Sequence, residues 1–484
     1  MLDPHHTSVP RGCILTGLAV FGLLCMGCME ESPPARFTRQ IEWIGKGQWL
    51  KADTHLHTKF SDGAHTVSEV VARGAGHGCD VLAVTDHADR ALGAATPEYA
   101  EAIEVARREH PNLLILAGLE WNVPPWDGDE HATVLMPAGP DEFLQLADFK
   151  KQFDDYGRDS HDAALADAAL TWLALQVDRD GIAPVVIYNH PSRKDARSIE
   201  NVADLQRWRG INELVIGFSG APGHQAGEPL GAYEYREFPI DRWDPAAARV
   251  GDAWDALLQA GIDVWAARAP SDFHKVAPSG VSDYWPGEFS ETWMYVPDRT
   301  AAGVLRAFHA GSFFAAHGHI IREVRLVVVA PGLERPAESG EAIEVAVGTD
   351  LDISVEGLVP DFDWSGMANR IDLVELIAIT PDMARVVAEQ EPASGTRLLS
   401  TTIPVPQGGL VLRARGRRRV ADGPDLMFYT NPIRVVARPV EPAHVVRLPD
   451  WSRSQLLGLG LCALAVVSLA VSVTQRLNSK SAPP

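Results

Sequence analysis

Residues 50–63 read LKADTHLHTKFSDG. Leu50, Ala52 and the residues around them form a strand pattern, and Asp53, His55 and His57 fall on alternate positions. Alternate side chains of a strand share one face, so His55 and His57 can grip a single ion. The pattern recurs down the chain. CDVLAVTD runs into Thr85-Asp86-His87, and NLLILAGLE ends in Glu120. His131 opens HATVLM, APVVIYNH ends in Asn189-His190-Pro191, and IDVWAARA leads to Ser271-Asp272-Phe273-His274. Six successive strand-associated points each supply His, Asp or Glu, a register that unrelated surface residues would not produce. WLKADTH and ELVIGF complete the strand set, and helix signals lie between. Thr96-Pro97-Glu98 gives an N-cap, a proline in the first turn and an acid. Val250, Trp254, Leu257 and Leu258 mark one helical face, closed by Gly261. Strands alternating with helices predict a parallel sheet closed into a barrel, with the active site at the carboxyl ends of the strands.

After about residue 320 the pattern changes. Leu351-Asp352-Ile353-Ser354-Val355 and Leu410 to Arg415 alternate strictly, and turn clusters such as APGLERP and PQGG separate such runs. This predicts an all-β domain, a sandwich. Arg413, Arg415, Arg417, Arg418 and Arg419 form the basic cluster of this region and read as a solvated strand edge and turn in preference to an anion-binding patch.

Composition sets outer bounds. With 46% hydrophobic residues in 484, the chain can bury a sizeable core and is not disordered. Its net charge of −21 argues against a nucleic-acid coat, which needs cations facing phosphate. Of five cysteines, Cys13, Cys25 and Cys28 lie in an apolar N-terminal stretch and Cys462 in a C-terminal one. Cys79 alone remains for the body, which excludes a disulfide scaffold and a Cys-rich zinc module.

Residues 14–28 have the length of a signal-peptide core, and Gly27-Cys28 resembles the end of a lipoprotein signal; cleavage, lipidation and an uncleaved anchor all stay open. Leu456 to Val473 carries no charge and just reaches the length of a membrane span, with Arg476 and Lys480 after it. The expected organisation is a signal or anchor at 1–28, a linker at 29–47, the barrel at 48–320, the sandwich-like domain at 321–438, a linker at 439–455, a transmembrane helix at 456–473 and a basic tail at 474–484. The cations after the span place the body in the cell envelope, outside the cytoplasm and periplasmic if the cell is Gram-negative.

DTHLHTKFSDG, VTDH, the isolated Glu120, NHP and SDFH, in this order, resemble the PHP (polymerase and histidinol phosphatase) metallohydrolases over roughly residues 48–316. WDALLQAGIDVWAARAPSDFH and ETWMYVPDRTAAGVLRAFHAGSFFAAHG are similar to the carbaryl-hydrolase-like branch, and FYTNPIRVVA resembles its closing strand. The resemblance implies a distorted (β/α)7 barrel with two or three divalent ions, Zn, Mn or Fe. His55, His57, Glu120 and Asp272 would hold the first, and Glu120 would bridge to a second held by His131 and His190. Asp62, His87 and His274 match the ligands of a third. Asp62 stands where some members have histidine, which makes that set harder and richer in oxygen.

Glu120, Asp272 and His274 are the residues assigned to catalysis, acting on a small-molecule ester through a metal-bridging hydroxide. A small phosphoester is the favoured substrate. A carbamate, amide or carboxyl ester is the alternative, and a membrane-tethered, metal-bearing but non-catalytic binding module is a third reading. Asp53 and Asp86 are candidates to orient ligand imidazoles, and for Asp86 a purely structural role is an equal alternative. His317-Gly318-His319 falls after the ligand set is complete. His65, His77, His110, His161, His224 and His309 read as surface or core residues. His224, Arg236 and Arg242 lie in the long 219–249 stretch, which together with 137–182 reads as substrate loops or lids. GFSGAPGHQAG lacks the spacing of a phosphate loop.

Overall fold

The computed structural model describes residues 34–124, 131–154, 164–192, 203–221, 240–277 and 282–439, together with Asp162, Gly223 and Ser468. The apolar segment 14–28 and, apart from Ser468, the segment 456–473 lie outside these residues. No described helix is long and apolar enough to cross a membrane, so the expected terminal transmembrane helix has no support there. The described residues from 34 to 439 belong to one unit, Pro33–Pro439.

The chain enters through β1 (Arg36–Arg39), inside the expected linker, and then builds an α/β half. Its strands are β2 (Gln48–Leu56), β3 (Val81–Val84), β4 (Leu114–Asn122), β5 (His131–Leu135), β6 (Val185–Tyr188), β7 (Val215–Phe218), β8 (Ser290–Val296) and β9 (Phe313–His317). Between them run α1 (Val67–Gly76), α2 (Pro97–Glu109), α3 (Glu142–Phe153), α4 (Ala164–Leu173), α5 (Ala203–Arg209), α6 (Pro245–Ala248), α7 (Ala253–Gln259) and α8 (Ala301–Ala310). Local chemistry starts these helices, for α2 as expected. Thr96 caps α2 through a bond from the Tyr99 amide, and Thr66 and Glu69 form a reciprocal capping box on α1. The 137–182 stretch is not a lid throughout, since α3 and α4 bury Leu146, Phe149, Leu170 and Leu173 in the core.

The sheet is mixed, not parallel. β2, β3 and β4 pair in parallel, as do β6 and β7, but β5 runs antiparallel to both β4 and β6, and β8 runs antiparallel to β2 and β9. Residues 123–130 are too few for the crossover that parallel pairing of β4 and β5 would require. The expected (β/α)7 barrel also fails to close. IDVWAARA, read as a strand, makes one isolated bridge from Trp265 to Gly217, and Phe273 makes another to Leu56. The Trp265 N–H donates to the Ile216 carbonyl, but three donors of this run and its continuation go to side chains in place of a ladder. The Ala267 N–H donates to Asn431 Oδ1, that of Ala269 to Thr292 Oγ1 and that of Ser271 to Asp53 Oδ1, and Pro270 has none to give.

Gly217 makes this seam possible. Its φ is +154°, and a Cβ there would lie 2.0 Å from the Trp265 carbonyl oxygen. Gly217→Ala is therefore expected to destabilise the protein by about 2–3 kcal/mol, read as a lower denaturant midpoint, through strain and overpacking.

The C-terminal region supplies β10 (Arg322–Val329), β11 (Ala337–Glu338), β12 (Ala342–Ala346), β13 (Asp350–Leu358), β14 (Leu373–Ile379), β15 (Ala384–Gln390), β16 (Arg397–Pro404), β17 (Leu410–Arg418), β18 (Leu426–Thr430) and β19 (Ile433–Arg438). β18 pairs with β9, so one sheet runs β1-β12-β19-β17-β18-β9-β8-β2 and on to β7, taking strands from both sides of residue 320. A separate sheet, β11-β10-β13-β16, faces it across an apolar layer that includes Leu326, Ile353 and Val355 with Leu376, Leu412 and Phe428. β13 alternates buried and exposed residues as its sequence predicts. β17 does not: it is flanked by β14, β18 and β19, and Leu410 to Ala414 are all buried. Within β17 the basic cluster is thus no solvated edge, while Arg419, past its end, is half exposed as a turn residue. Arg413 pairs with Asp255, Arg415 with Glu375, Arg417 with Asp425, Arg418 with Asp363 and Arg419 with Glu391.

Candidate metal centre

Every expected ligand lies at one end of the α/β sheet. β2 delivers His55 and then His57, whose N–H is tied to the Phe273 carbonyl at 2.8 Å. His87 follows β3, Glu120 lies in β4 and His190 follows β6. His131 opens β5 and reaches the same end because β5 is antiparallel: it pairs with Asn122, the last residue of β4. His190 and Asp272 sit at positive φ, 30° and 49°. Such backbone costs about 1–3 kcal/mol per residue and collects at functional sites.

Glu120 is the hub. Its Oε2 lies 3.1 Å from His55 Nε2, 3.0 Å from His57 Nε2 and 3.3 Å from His87 Nε2. Its Oε1 lies 3.3 Å from His131 Nδ1, 3.2 Å from His190 Nε2 and 2.8 Å from Asn189 Nδ2. The two oxygens therefore face two different sets of imidazoles.

On the first side, His55 Nε2 and His57 Nε2 are 3.1 Å apart, and Asp272 Oδ1 is 3.3 and 3.2 Å from them. With the Glu120 distances, five of the six edges of a four-atom figure are close to equal. A regular tetrahedron with edges of about 3.2 Å has its centre about 2.0 Å from each corner, the length of Zn–N and Zn–O bonds. The donor set thus fits a divalent ion, and the residues that would hold it are His55, His57, Glu120 and Asp272.

Two further groups could hold ions. Asp62 and His274 converge with His57 and His87, and Glu120 and His131 converge with His87. His274 Nε2 is 3.3 Å from Asp62 Oδ2, and His87 Nε2 is 3.9 Å from the same oxygen. His87 therefore stands between the expected second and third sets, while His190 meets the hub at Glu120 Oε1.

The electrostatics have the same sense. Burial would raise the Glu120 pKa, but the facing His55, His87 and His131 pull it well below the usual carboxylate range. Burial would lower His57, but Asp272, Asp62 and Glu120 raise it well above the usual imidazole value. Burial opposes ionisation of Asp62 too, yet His274 and His57 hold its carboxyl far below its ordinary value. His87, by contrast, is pushed by burial down to about 3, so it presents a neutral imidazole. Carboxylates that stay ionised beside imidazoles are a set that attracts a cation.

The neighbouring acids hold backbone N–H and hydroxyl groups, with no direct imidazole bond. Asp53 accepts from the Ser271 N–H at 3.1 Å, and Asp86 accepts from the Thr58 N–H, the Thr58 hydroxyl and the Ser61 hydroxyl at 2.7, 2.8 and 2.6 Å. Asp86 thus pins the loop that carries Asp62. His57 Nδ1 faces Ser61 Oγ and Asp62 Oδ1, each at 3.3 Å.

Beneath Glu120 lies Arg268, which no sequence signal singled out except its cationic side chain in the apolar run DVWAARA. It is 1% exposed. Burial lowers its pKa to about 10, so it remains charged at neutral pH, drawn by Asp53, Glu120 and Asp272.

The other described histidines stand apart from this cluster. His317 packs against Trp243 and Phe289, His319 Nε2 lies 3.1 Å from Lys51 Nζ, His65 packs tilted against Trp285, and His110 and His77 cap helices. His309 contacts the Ala183 carbonyl. His161, His224 and Arg236 lie outside the described residues. Arg242 stacks over Phe289 beside a cavity of about 540 Å³ that Trp364 and Arg418 also line.

Residues 53–210 match the PHP domain family. The chain contains a PHP domain. Asp272 and His274 lie beyond the matched stretch, and folding brings them onto the PHP residues His55, His57 and Asp62. Over 95 residues the chain is 32% identical to the DNA polymerase/3'-5' exonuclease PolX of Bacillus subtilis (strain 168), covering 18% of this chain and 16% of that protein. It thus spans about a sixth of the length of this curated relative. Among solved structures, it resembles a Bacteroides vulgatus two-domain protein containing a predicted PHP-like metal-dependent phosphoesterase, at 15% identity and TM-score 0.36, over 81% of this chain and 95% of that one. It also resembles an amidohydrolase from Chromobacterium violaceum with bound sulfate, at 19% identity and TM-score 0.27, over 48% and 91%.

Proposed function

We propose that this chain is a PHP-type metal-dependent phosphoesterase acting on a small phosphoester. The observation that carries the reading is Glu120, with one oxygen in the His55–His57–Asp272 set and the other facing His131 and His190. Two adjacent divalent ions lower the pKa of a water and take up charge on phosphoryl oxygens. In this reading His55, His57 and Asp272 would hold one ion, His131 and His190 the other, and Asp62, His87 and His274 a third. The positive φ of His190 and Asp272 aims their side chains at the hub. His274, 24% exposed at its side chain against 1% for His55, is the most exposed imidazole of the cluster and is placed to meet a substrate oxygen. Its Nδ1 faces the Asp272 carbonyl oxygen at 2.8 Å, which favours a proton on Nδ1 and leaves Nε2 as the working nitrogen.

The test is metal content with hydrolysis of p-nitrophenyl phosphate and of an aryl carbamate. Purified protein is expected to carry stoichiometric divalent metal and to prefer the phosphoester, with His55→Ala losing at least one ion and most activity. Faster carbamate turnover would reassign the substrate class. Bound metal with turnover of neither ester would favour a binding module, and absence of metal would overturn the proposal.

A further inference from the structure

Arg268 makes a web of contacts that the proposed chemistry does not yet use. Its Nε meets Thr54 Oγ1 at 3.1 Å, Nη2 donates to the Thr54 carbonyl at 2.8 Å, and Nη1 donates to Asn189 Oδ1 at 3.3 Å and to Ser219 Oγ. Asn189 Oδ1 also accepts from Thr133 Oγ1 at 3.0 Å. With cationic and hydroxyl donors gathered on Oδ1, the Asn189 amide has one orientation open to it, and its Nδ2 points at Glu120 Oε1. The Arg268 web joins Thr54 of β2, Asn189 just after β6 and Ser219 just after β7 to the 264–273 seam, so a single buried side chain ties the chain segments of His55, His190 and Asp272 together.

We propose that Arg268 is a positioning residue for the second metal position: through Asn189 it fixes Glu120 Oε1, so that one lone pair takes the amide proton and the other is left facing His131 and His190. This rests on the metal reading of the cluster but makes a claim that reading does not. The consequence is selective. The first position, on Glu120 Oε2, has His55, His57 and Asp272 to define it. The second has Glu120 Oε1 as its one carboxylate oxygen beside imidazoles, so a carboxylate free to rotate should harm it far more.

The experiment uses the full-length protein, stripped with chelator and titrated with Mn(II), with free and bound ion followed by electron paramagnetic resonance. Wild type is expected to bind at least two ions, the second giving an exchange-coupled pair signal. Asn189→Leu and Arg268→Met should each weaken the second ion about 10–100-fold, the range for loss of a residue that orients a ligand. The first should stay within a few-fold, and the pair signal should be lost at low loading. Arg268→Lys, which keeps the charge, should recover part of the affinity; a role in packing alone would not show that split between the two ions. Should the Arg268 variants fail to fold, Asn189→Leu and Asn189→Asp carry the test with Arg268 in place, and the Asp variant should be the weaker binder because it turns an acceptor toward Oε1. Second-ion affinity and pair signal unchanged in Asn189→Leu would overturn the inference. A wild-type chain that takes up no Mn(II) would overturn the metal reading, and this one with it.

Discussion

Glu120→Gln is expected to cut phosphoester turnover on the order of 10³-fold, about 4 kcal/mol of transition-state stabilisation, while the protein stays folded. The direction follows from the two ends of the carboxylate. Asn189 Nδ2 presents a proton to Oε1, so the glutamine will keep its carbonyl oxygen there and turn its NH2 toward His55, His57 and His87. That NH2 has no lone pair for an ion. The first position therefore loses a ligand atom outright, and the second keeps an oxygen without its charge. Metal analysis after dialysis should show the first ion gone and the second weakened, with the circular-dichroism melt of the chelated protein little changed. Turnover and metal content like those of wild type would remove Glu120 from the hub. An intact metal complement with turnover lost would make it a catalytic group and not a bridge.

The parts of this centre that sequence reasoning reached are those governed by short periods. His55 and His57 share a face because strand side chains alternate, and His87, Glu120, His131, His190 and Asp272 were legible as polar residues at strand ends, whereas Asp62 came only from the family resemblance. Even Glu120, isolated in sequence, stands out against LLILAGLEW. Long-range pairing was less legible. The antiparallel β5 follows from a short connection whose direction alternation does not encode, and the open seam arises because Ala267, Ala269 and Ser271 give their N–H groups to Asn431, Thr292 and Asp53, two of them more than 160 positions away. Arg268 and Asn189 have the same character. Nothing local marks an arginine as buried; it is buried because Thr54, Ser219 and Asn189 arrive from three strands to meet it.

Arg413 carries that lesson into stability. Alternation along Leu410 to Arg415 suggested one wet face, yet the side chains of Arg413 and Asp255 are 0% and 1% exposed, with Nε–Oδ1 at 2.6 Å and Nη2–Oδ2 at 2.9 Å. The guanidinium also lies over Trp254 at 4.8 Å, and Asp255 Oδ2 accepts from the Gly251 N–H, so the pair fastens α7 to β17. Asp255→Ala strands a cation in the core and is expected to cost about 3–5 kcal/mol, measured as loss of unfolding free energy in denaturant. Arg413→Met should cost a similar amount by leaving the carboxylate alone. Removing both charges is different: Asp255→Leu with Arg413→Met relieves the desolvation of each, and the double variant should recover most of the loss, because a buried pair gains little over apolar packing of the same volume. Additive losses in the double variant would mean that each residue acts through contacts other than the pair. Metal content should be untouched in all three variants, since neither residue contacts the Glu120 cluster; a loss of metal in parallel with stability would show that α7 and β17 set the geometry of the ligand end as well as holding the C-terminal strands in place.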